Sequence, residues 1–255
     1  MAQARSAPRG PAWLGIGAQR AGTTWFTNLL VQHPEVSLAA GGRKELHYLT
    51  MPLAHGWSDE YDEGYRTLFD DAEARLPGEF TPVYLRALWA APLALRVCRP
   101  DAPIIVLLRD PIDRFESAMR LASTHFQFPG PEPSQALRVW TRTRGVAAQW
   151  TGMYAVQLDA WERVLGRRRL MVLQYERLRD DPQPAVERVW TALGLRAVAL
   201  RDVRRPSRTS RRPERPWTLD LVPGFRDELW HLYRPEVDRL RLRWGVDVGR
   251  WPNFA

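Results

Sequence analysis

The stretch from Gly15 to Phe26, Gly-Ile-Gly-Ala-Gln-Arg-Ala-Gly-Thr-Thr-Trp-Phe, constrains this chain more than any other. A short apolar run over 12–17 that ends in a glycine turn reads as a buried strand. The residues after it, 23–32, place Trp25, Phe26, Leu29 and Leu30 on one helix face and stop before His33-Pro34. Strand, glycine-bearing loop and helix N-terminus together make a phosphate-binding unit, because backbone amides and the helix dipole both favour an anion there. Gly17 and Gly22-Thr23-Thr24 keep the spacing of a P-loop, yet Thr23 stands where that loop carries lysine. The cation of this loop, Arg20, lies inside it instead. Such a loop suits a phosphate-bearing ligand other than a nucleoside triphosphate.

The remaining chain repeats the alternation. Ile104 to Leu108 is a continuous apolar run between Pro103 and Arg109, and Asp110-Pro111 supplies an N-cap and a first helical residue. Leu170 to Leu173 is a further strand, and helices are expected near 61–71, 86–98, 134–149, 152–165, 184–193 and 218–244. Residues 44–49 read as a short extended segment, 1–11 as a flexible start, and 201–216, with seven arginines, as a mobile basic loop. The 255 residues, 45% hydrophobic, then form a single α/β domain over 1–255, a central parallel sheet flanked by helices. No apolar run reaches 18 residues, so no membrane insertion is expected. One cysteine, Cys98, gives neither an intramolecular disulfide nor a cysteine-based metal cluster. With no apolar leader before the first strand, a cytoplasmic location and no bound metal are expected.

A net charge of +8 points to anionic partners: nucleic acid, a membrane surface or a polyphosphorylated small molecule. No nucleic-acid motif supports the first, and most of the 12 tryptophans fall at core spacing. Lys44 is the only lysine among 37 basic residues. In a parallel sheet ligands sit beyond the strand C-termini, where the Gly17–Thr24 loop and Arg109 would both lie. Arg109, with Ser117 about two helical turns later, could hold a second phosphate; alternatively Arg109 pairs with Asp113 and Ser117 faces solvent. In an extended Lys44-Glu45-Leu46-His47-Tyr48, Glu45 and His47 point to one side, and either could accept a proton. A solvated charged edge is the alternative for that segment.

These segments, in this order, resemble the sulfotransferase family that uses 3′-phosphoadenosine 5′-phosphosulfate (PAPS), in its heparan-sulfate-type branch and bacterial relatives. Gln19 to Trp25 is similar to the family's 5′-phosphosulfate loop, and Leu107 to Ser117 to its 3′-phosphate motif. Lys44-Glu45-x-His47-Tyr48 and Glu79-x-Thr81-Pro82-x-Tyr84 are similar to further blocks of that branch. So are Gly152-x-Tyr154 to Trp161, and Val172 to Leu178 with Asp181-Pro182, so that the likeness spans roughly 13–195. The resemblance implies a P-loop-like fold, PAPS as donor and adenosine 3′,5′-bisphosphate (PAP) as product, without a metal. It puts Arg20, Ala21, Gly22, Thr23, Thr24 and Trp25 around the 5′-phosphosulfate, Arg109 and Ser117 on the 3′-phosphate, and Tyr175 beside the donor. Glu45 becomes the general base with His47 behind it; Arg20 faces the leaving oxygen and Lys44 the sulfuryl group. Arg208, Arg211 and Arg212 are candidates to fold over the donor, or else belong to a solvated loop.

Two positions depart from the family pattern: Arg20 replaces a frequent lysine, and Phe80 stands where the heparan-type enzymes often carry a second one. Trp57, Trp89, Phe126, Phe128, Trp140 and Trp150 are divided between pocket lining and core. The acceptor is expected to be a small molecule, through a hydroxyl in preference to an amine, with a secondary metabolite or glycolipid from a high-GC bacterium in view. The rival readings are a P-loop-type nucleotide kinase or hydrolase, a basic nucleic-acid-binding protein, and a nucleotide-binding relative without catalysis. No oligomeric state is read from the sequence.

Overall fold

A computed structural model describes residues 9–51, 57–70, 75–125, 140, 145–204 and 218–255. Its centre is a five-stranded, all-parallel sheet in the order β2-β3-β1-β4-β5. The strands are β1 (Trp13–Gly17), β2 (Val36–Leu38), β3 (Leu76–Phe80), β4 (Ile104–Leu108) and β5 (Leu170–Gln174). Every residue of β1, β3 and β4 is buried, as expected of parallel strands covered on both faces. The helices are α1 (Thr23–Leu30), α2 (Asp59–Thr67), α3 (Ala90–Val97), α4 (Pro111–His125), α5 (Gly145–Trp150), α6 (Tyr154–Leu165), α7 (Tyr175–Asp180), α8 (Gln183–Ala192) and α9 (Phe225–Trp244).

The start of α4 follows the sequence reading: Asp110 Oδ1 accepts from the amides of Ile112 at 2.9 Å and Asp113 at 3.3 Å. The strands β2 and β3 are additions. Leu-Pro-Gly-Glu-Phe does not read as a central strand, because Pro77 and Gly78 both weaken one. Packing explains the glycine. A Cβ on Gly78 would lie 2.3 Å from the Trp13 side chain, and one on Gly15 only 2.1 Å from the Phe80 ring. The two glycines leave room for two rings against neighbouring strands. Pro77 still contributes its carbonyl, which accepts from Ala12 N at 2.7 Å.

Four tryptophans, Trp13, Trp161, Trp190 and Trp251, are fully buried. Each indole N–H donates: to the Leu76, Leu85 and Leu30 carbonyls and to Glu176 Oε2, at 3.0–3.2 Å. Cys98 is core, and burial pushes its thiol up to about 12. Of the start expected to be flexible, residues 9–11 are tied down. Arg9 pairs with Glu63 and Asp70, and Arg99 Nε donates to the Gly10 carbonyl at 3.1 Å. Residues 1–8 and 205–217 lie outside the described residues.

Candidate active site

The site gathers at the C-terminal ends of β1, β3 and β4. Gly22 opens α1 with φ +86°, and a Cβ there would meet the Tyr175 ring at 2.7 Å. Left-handed backbone and ring contact both demand glycine. Thr23 is buried and Thr24 exposed. Trp25 is buried and donates to the Val203 carbonyl at 3.2 Å, tying the loop to the chain just before the basic 205–217 stretch.

Arg20 joins the glycine loop to the Arg109–Ser117 pair. Its Nε donates to Ser117 Oγ at 3.2 Å, while its carbonyl accepts from Arg109 Nη1 at 3.3 Å. Arg109 also lies 5.0 Å from the centre of the Tyr175 ring and 3.9 Å from Asp113 Oδ2. The Arg109–Asp113 pair therefore exists, but Ser117 is buried at 4% exposure rather than solvated. Arg109 Nε is buried without a hydrogen-bond partner, an orphan donor that an anion would satisfy. Beneath it, Tyr154 donates to the Arg109 carbonyl at 2.9 Å and Glu176 accepts from Asp110 N at 3.0 Å. Asn253 donates to Asp110 Oδ2 through both backbone and side chain. Burial raises the carboxyl pKa of both Asp110 and Glu176.

The Lys44–Tyr48 segment is not extended. Glu45 and His47 have φ of 61° and 58°, so the period-two argument that put them on one side fails. They meet by another route: His47 Nε2 stands 3.8 Å from Glu45 Oε2, and Lys44 Nζ contacts Glu45 Oε1 at 2.5 Å. Among the described residues, the non-glycine residues with left-handed backbone are Arg20, Glu45 and His47. All are expected catalytic positions, and strain of this kind persists where surrounding structure over-determines the backbone.

At Glu45 and His47 that over-determination comes from Glu79, whose role the sequence did not expose. Its fully buried carboxylate accepts from Tyr65 at 2.5 Å, Thr81 at 2.6 Å, Tyr84 at 2.9 Å and Leu46 N at 3.3 Å. In turn Thr81 Oγ1 accepts from His47 N and Tyr84 Oη from Leu49 N. One buried acid thus holds the backbone around Glu45 and His47 while their side chains stay exposed, so the segment is no loose solvated edge. Burial, opposed by these donors, raises its carboxyl pKa. The available signal was an acid inside an otherwise apolar segment. Phe80, in place of lysine, packs beside Gly15 and Phe26 with Lys44 Nζ 5.8 Å from its ring.

Of the candidate pocket-liners, Trp140 is core, Trp57 and Trp89 are exposed, and Trp150 is half-buried. Phe126, Phe128, Arg208, Arg211 and Arg212 lie outside the described residues. Among the described residues, no cluster of His, Cys, Asp and Glu is placed to hold a metal ion, and no helix is long and apolar enough to cross a membrane.

A parallel sheet whose first strand leads into a glycine loop at a helix N-terminus, with the arginine after its fourth strand bonded to that loop, defines a P-loop-like α/β protein. Residues 80–199 match the model of the Sulfotransferase family. Human heparan sulfate glucosamine 3-O-sulfotransferase 6 is 30% identical over 195 residues, covering 74% of this chain and 54% of that protein. The crystal structure of a sulfotransferase from Alicyclobacillus acidocaldarius superposes with a TM-score of 0.73 at 25% identity, covering 94% of this chain and 98% of that one. The sulfotransferase domain from the curacin biosynthetic pathway shares the fold, with a TM-score of 0.53 at 15% identity over 74% and 76% of the chains. The chain belongs to the sulfotransferase family. It spans about half the length of the curated relatives it matches.

Proposed function

We propose that this protein transfers a sulfuryl group from PAPS to a hydroxyl of a small-molecule acceptor. The observation that carries the reading is Arg20, which touches Ser117 through its side chain and Arg109 through its carbonyl. One residue thereby couples the loop for a 5′-phosphosulfate to the pair for a 3′-phosphate. The orphaned Arg109 Nε and the tight Gly22–Tyr175 approach fit a phosphate-bearing nucleotide. When bound, the donor supplies the sulfuryl group and is released as PAP.

The loop from Arg20 to Trp25 holds the 5′-phosphate with backbone amides and the Thr23 and Thr24 hydroxyls, and Tyr175 walls the same cradle. Arg109 and Ser117 hold the 3′-phosphate. Arg20 stabilises the charge that develops on the leaving oxygen, a preorganised electrostatic role that needs no metal. Lys44 occupies Glu45 Oε1, so Oε2 remains to take the acceptor hydroxyl proton, with His47 next to it. Lys44 also sits over the apolar ring that replaces a lysine, and supplies positive charge on that side of the site. Trp57 and Trp89, both exposed, suit an acceptor with an apolar or aromatic body.

The test is incubation of the protein with 35S-labelled PAPS and extract of the producing cell, with mass analysis of labelled products. Label transfer with stoichiometric PAP release is expected. Turnover of ATP with Mg²⁺ and no consumption of PAPS would support the kinase reading instead.

A further inference from the structure

A second cationic pocket adjoins the site, and the donor contacts do not account for it. Gln19, Arg20, Arg86, Arg114, Ala118, Ala148 and Thr151 are among the residues lining a cavity of about 190 Å³. Arg86 follows β3 on the turn Tyr84–Arg86, and Arg114 lies in the first turn of α4. Arg114 is 1% exposed and its guanidinium meets the Ala148 carbonyl and the Tyr233 hydroxyl, yet its Nε has no hydrogen-bond partner among the described residues. Arg86 Nε is likewise buried and unpartnered. Among the described residues, no carboxylate pairs with either guanidinium. Burial, then the charge of Arg114, lowers the pKa of Arg86, which marks two like charges held together away from water. Such an arrangement is costly unless an anion completes it.

We propose that this cavity is an oxyanion subsite for the acceptor: a carboxylate, sulfate or phosphate group of the acceptor seats between Arg86 and Arg114. The inference rests on the sulfotransferase reading and sharpens its substrate class. Arg20 belongs to both the donor loop and the cavity rim, so the subsite adjoins the point of transfer. Its volume lies below the ~300–1,000 Å³ of a pocket for a whole drug-sized ligand, and suits one terminal group. Arginine forks favour oxyanions through paired, charge-assisted hydrogen bonds. The acceptor then carries both the hydroxyl that takes the sulfuryl group and a carboxylate, sulfate or phosphate group.

The experiment titrates PAP-saturated wild type and Arg86→Gln protein calorimetrically with sodium sulfate, 4-hydroxybenzoate and neutral 4-hydroxybenzamide. Arg86 is only half-buried and its Nε has no hydrogen-bond partner among the described residues, so this variant is expected to fold. Sulfate and 4-hydroxybenzoate should bind wild type, and the amide at least tenfold more weakly. Arg86→Gln should weaken both anions roughly 10-fold or more, the loss of one charge-assisted contact, and leave PAP affinity within about twofold. Absence of anion binding to wild type, or equal binding by the variant, overturns the subsite. Loss of PAPS or PAP affinity in Arg86→Gln also overturns it, by assigning the cavity to the donor. If wild type binds no PAP, the donor reading fails; anion binding that depends on Arg86 would then still stand in the free protein.

Discussion

Removing the Glu79 carboxylate should damage stability and chemistry by separable amounts. Glu79→Ala strands four donors in the core: the Tyr65, Thr81 and Tyr84 hydroxyls and the Leu46 amide. A buried donor left unmade costs about 1–3 kcal/mol. Rotation of hydroxyls and relief of a desolvated acid recover part of this, so a net loss of about 3–5 kcal/mol is expected. Glu79→Gln keeps the shape and one acceptor oxygen and should cost about 1–2 kcal/mol. Urea unfolding followed by circular dichroism reads both values. The raised native pKa sets the pH dependence: the proton is held more tightly in the folded than in the unfolded chain, whose ordinary value is 4.5. That contribution is complete below 4.5 and fades as pH rises through the raised value. The deficit of Glu79→Gln against wild type should therefore be largest in acid and narrow toward neutrality. Because the hub clamps Glu45 and His47 but not the donor loop, Glu79→Gln should also lower kcat while PAP affinity stays unchanged. A Glu79→Ala protein within about 0.5 kcal/mol of wild type, or a deficit that widens with rising pH, would refute the reasoning.

Further outcomes follow from the same geometry. Glu45→Gln should lower kcat by about 10²–10⁴ with PAP binding retained, measured by label transfer and calorimetry; a larger loss in His47→Ala with a nearly normal Glu45→Gln would move the base to His47. Gly22→Ala must adopt φ +86° and push its methyl against Tyr175, so it should unfold at least about 1 kcal/mol more easily and bind PAP poorly. Removing the ring in Tyr175→Ala should relieve the clash in the double variant but not the backbone cost, so stability should return only in part.

The sequence carried the elements whose physics is local. Ile104 to Leu108 is apolar throughout and followed by Asp110-Pro111, so strand, cap and helix start could be read together. Leu76–Phe80 could not, because what admits Gly78 to the sheet is the Trp13 ring on the neighbouring strand. The same limit applies at the site. The motif residues Arg20, Glu45, Arg109 and Ser117 were legible by type and spacing, and the structure joins Arg20 to both Arg109 and Ser117. The turned backbone at Glu45 and His47 was not legible, since positive φ is uncommon for any residue other than glycine. It is imposed by Glu79, Thr81 and Tyr84, more than thirty residues along the chain. Arg86 and Arg114 likewise look like ordinary surface arginines until the fold sets them on one cavity, Arg114 buried and Arg86 half-buried.

The central claim is that the loop and Arg109 together hold a nucleotide by phosphates at both its 5′ and 3′ positions. Calorimetric titration with PAP and with adenosine 5′-monophosphate, which lacks the 3′-phosphate, tests it directly on wild type and Arg109→Ala. The account predicts that wild type prefers PAP by roughly 10-fold or more, one charge-assisted contact, and that Arg109→Ala removes most of that preference. Equal affinity for the two nucleotides, or tighter binding of ATP with Mg²⁺ than of PAP, would contradict it.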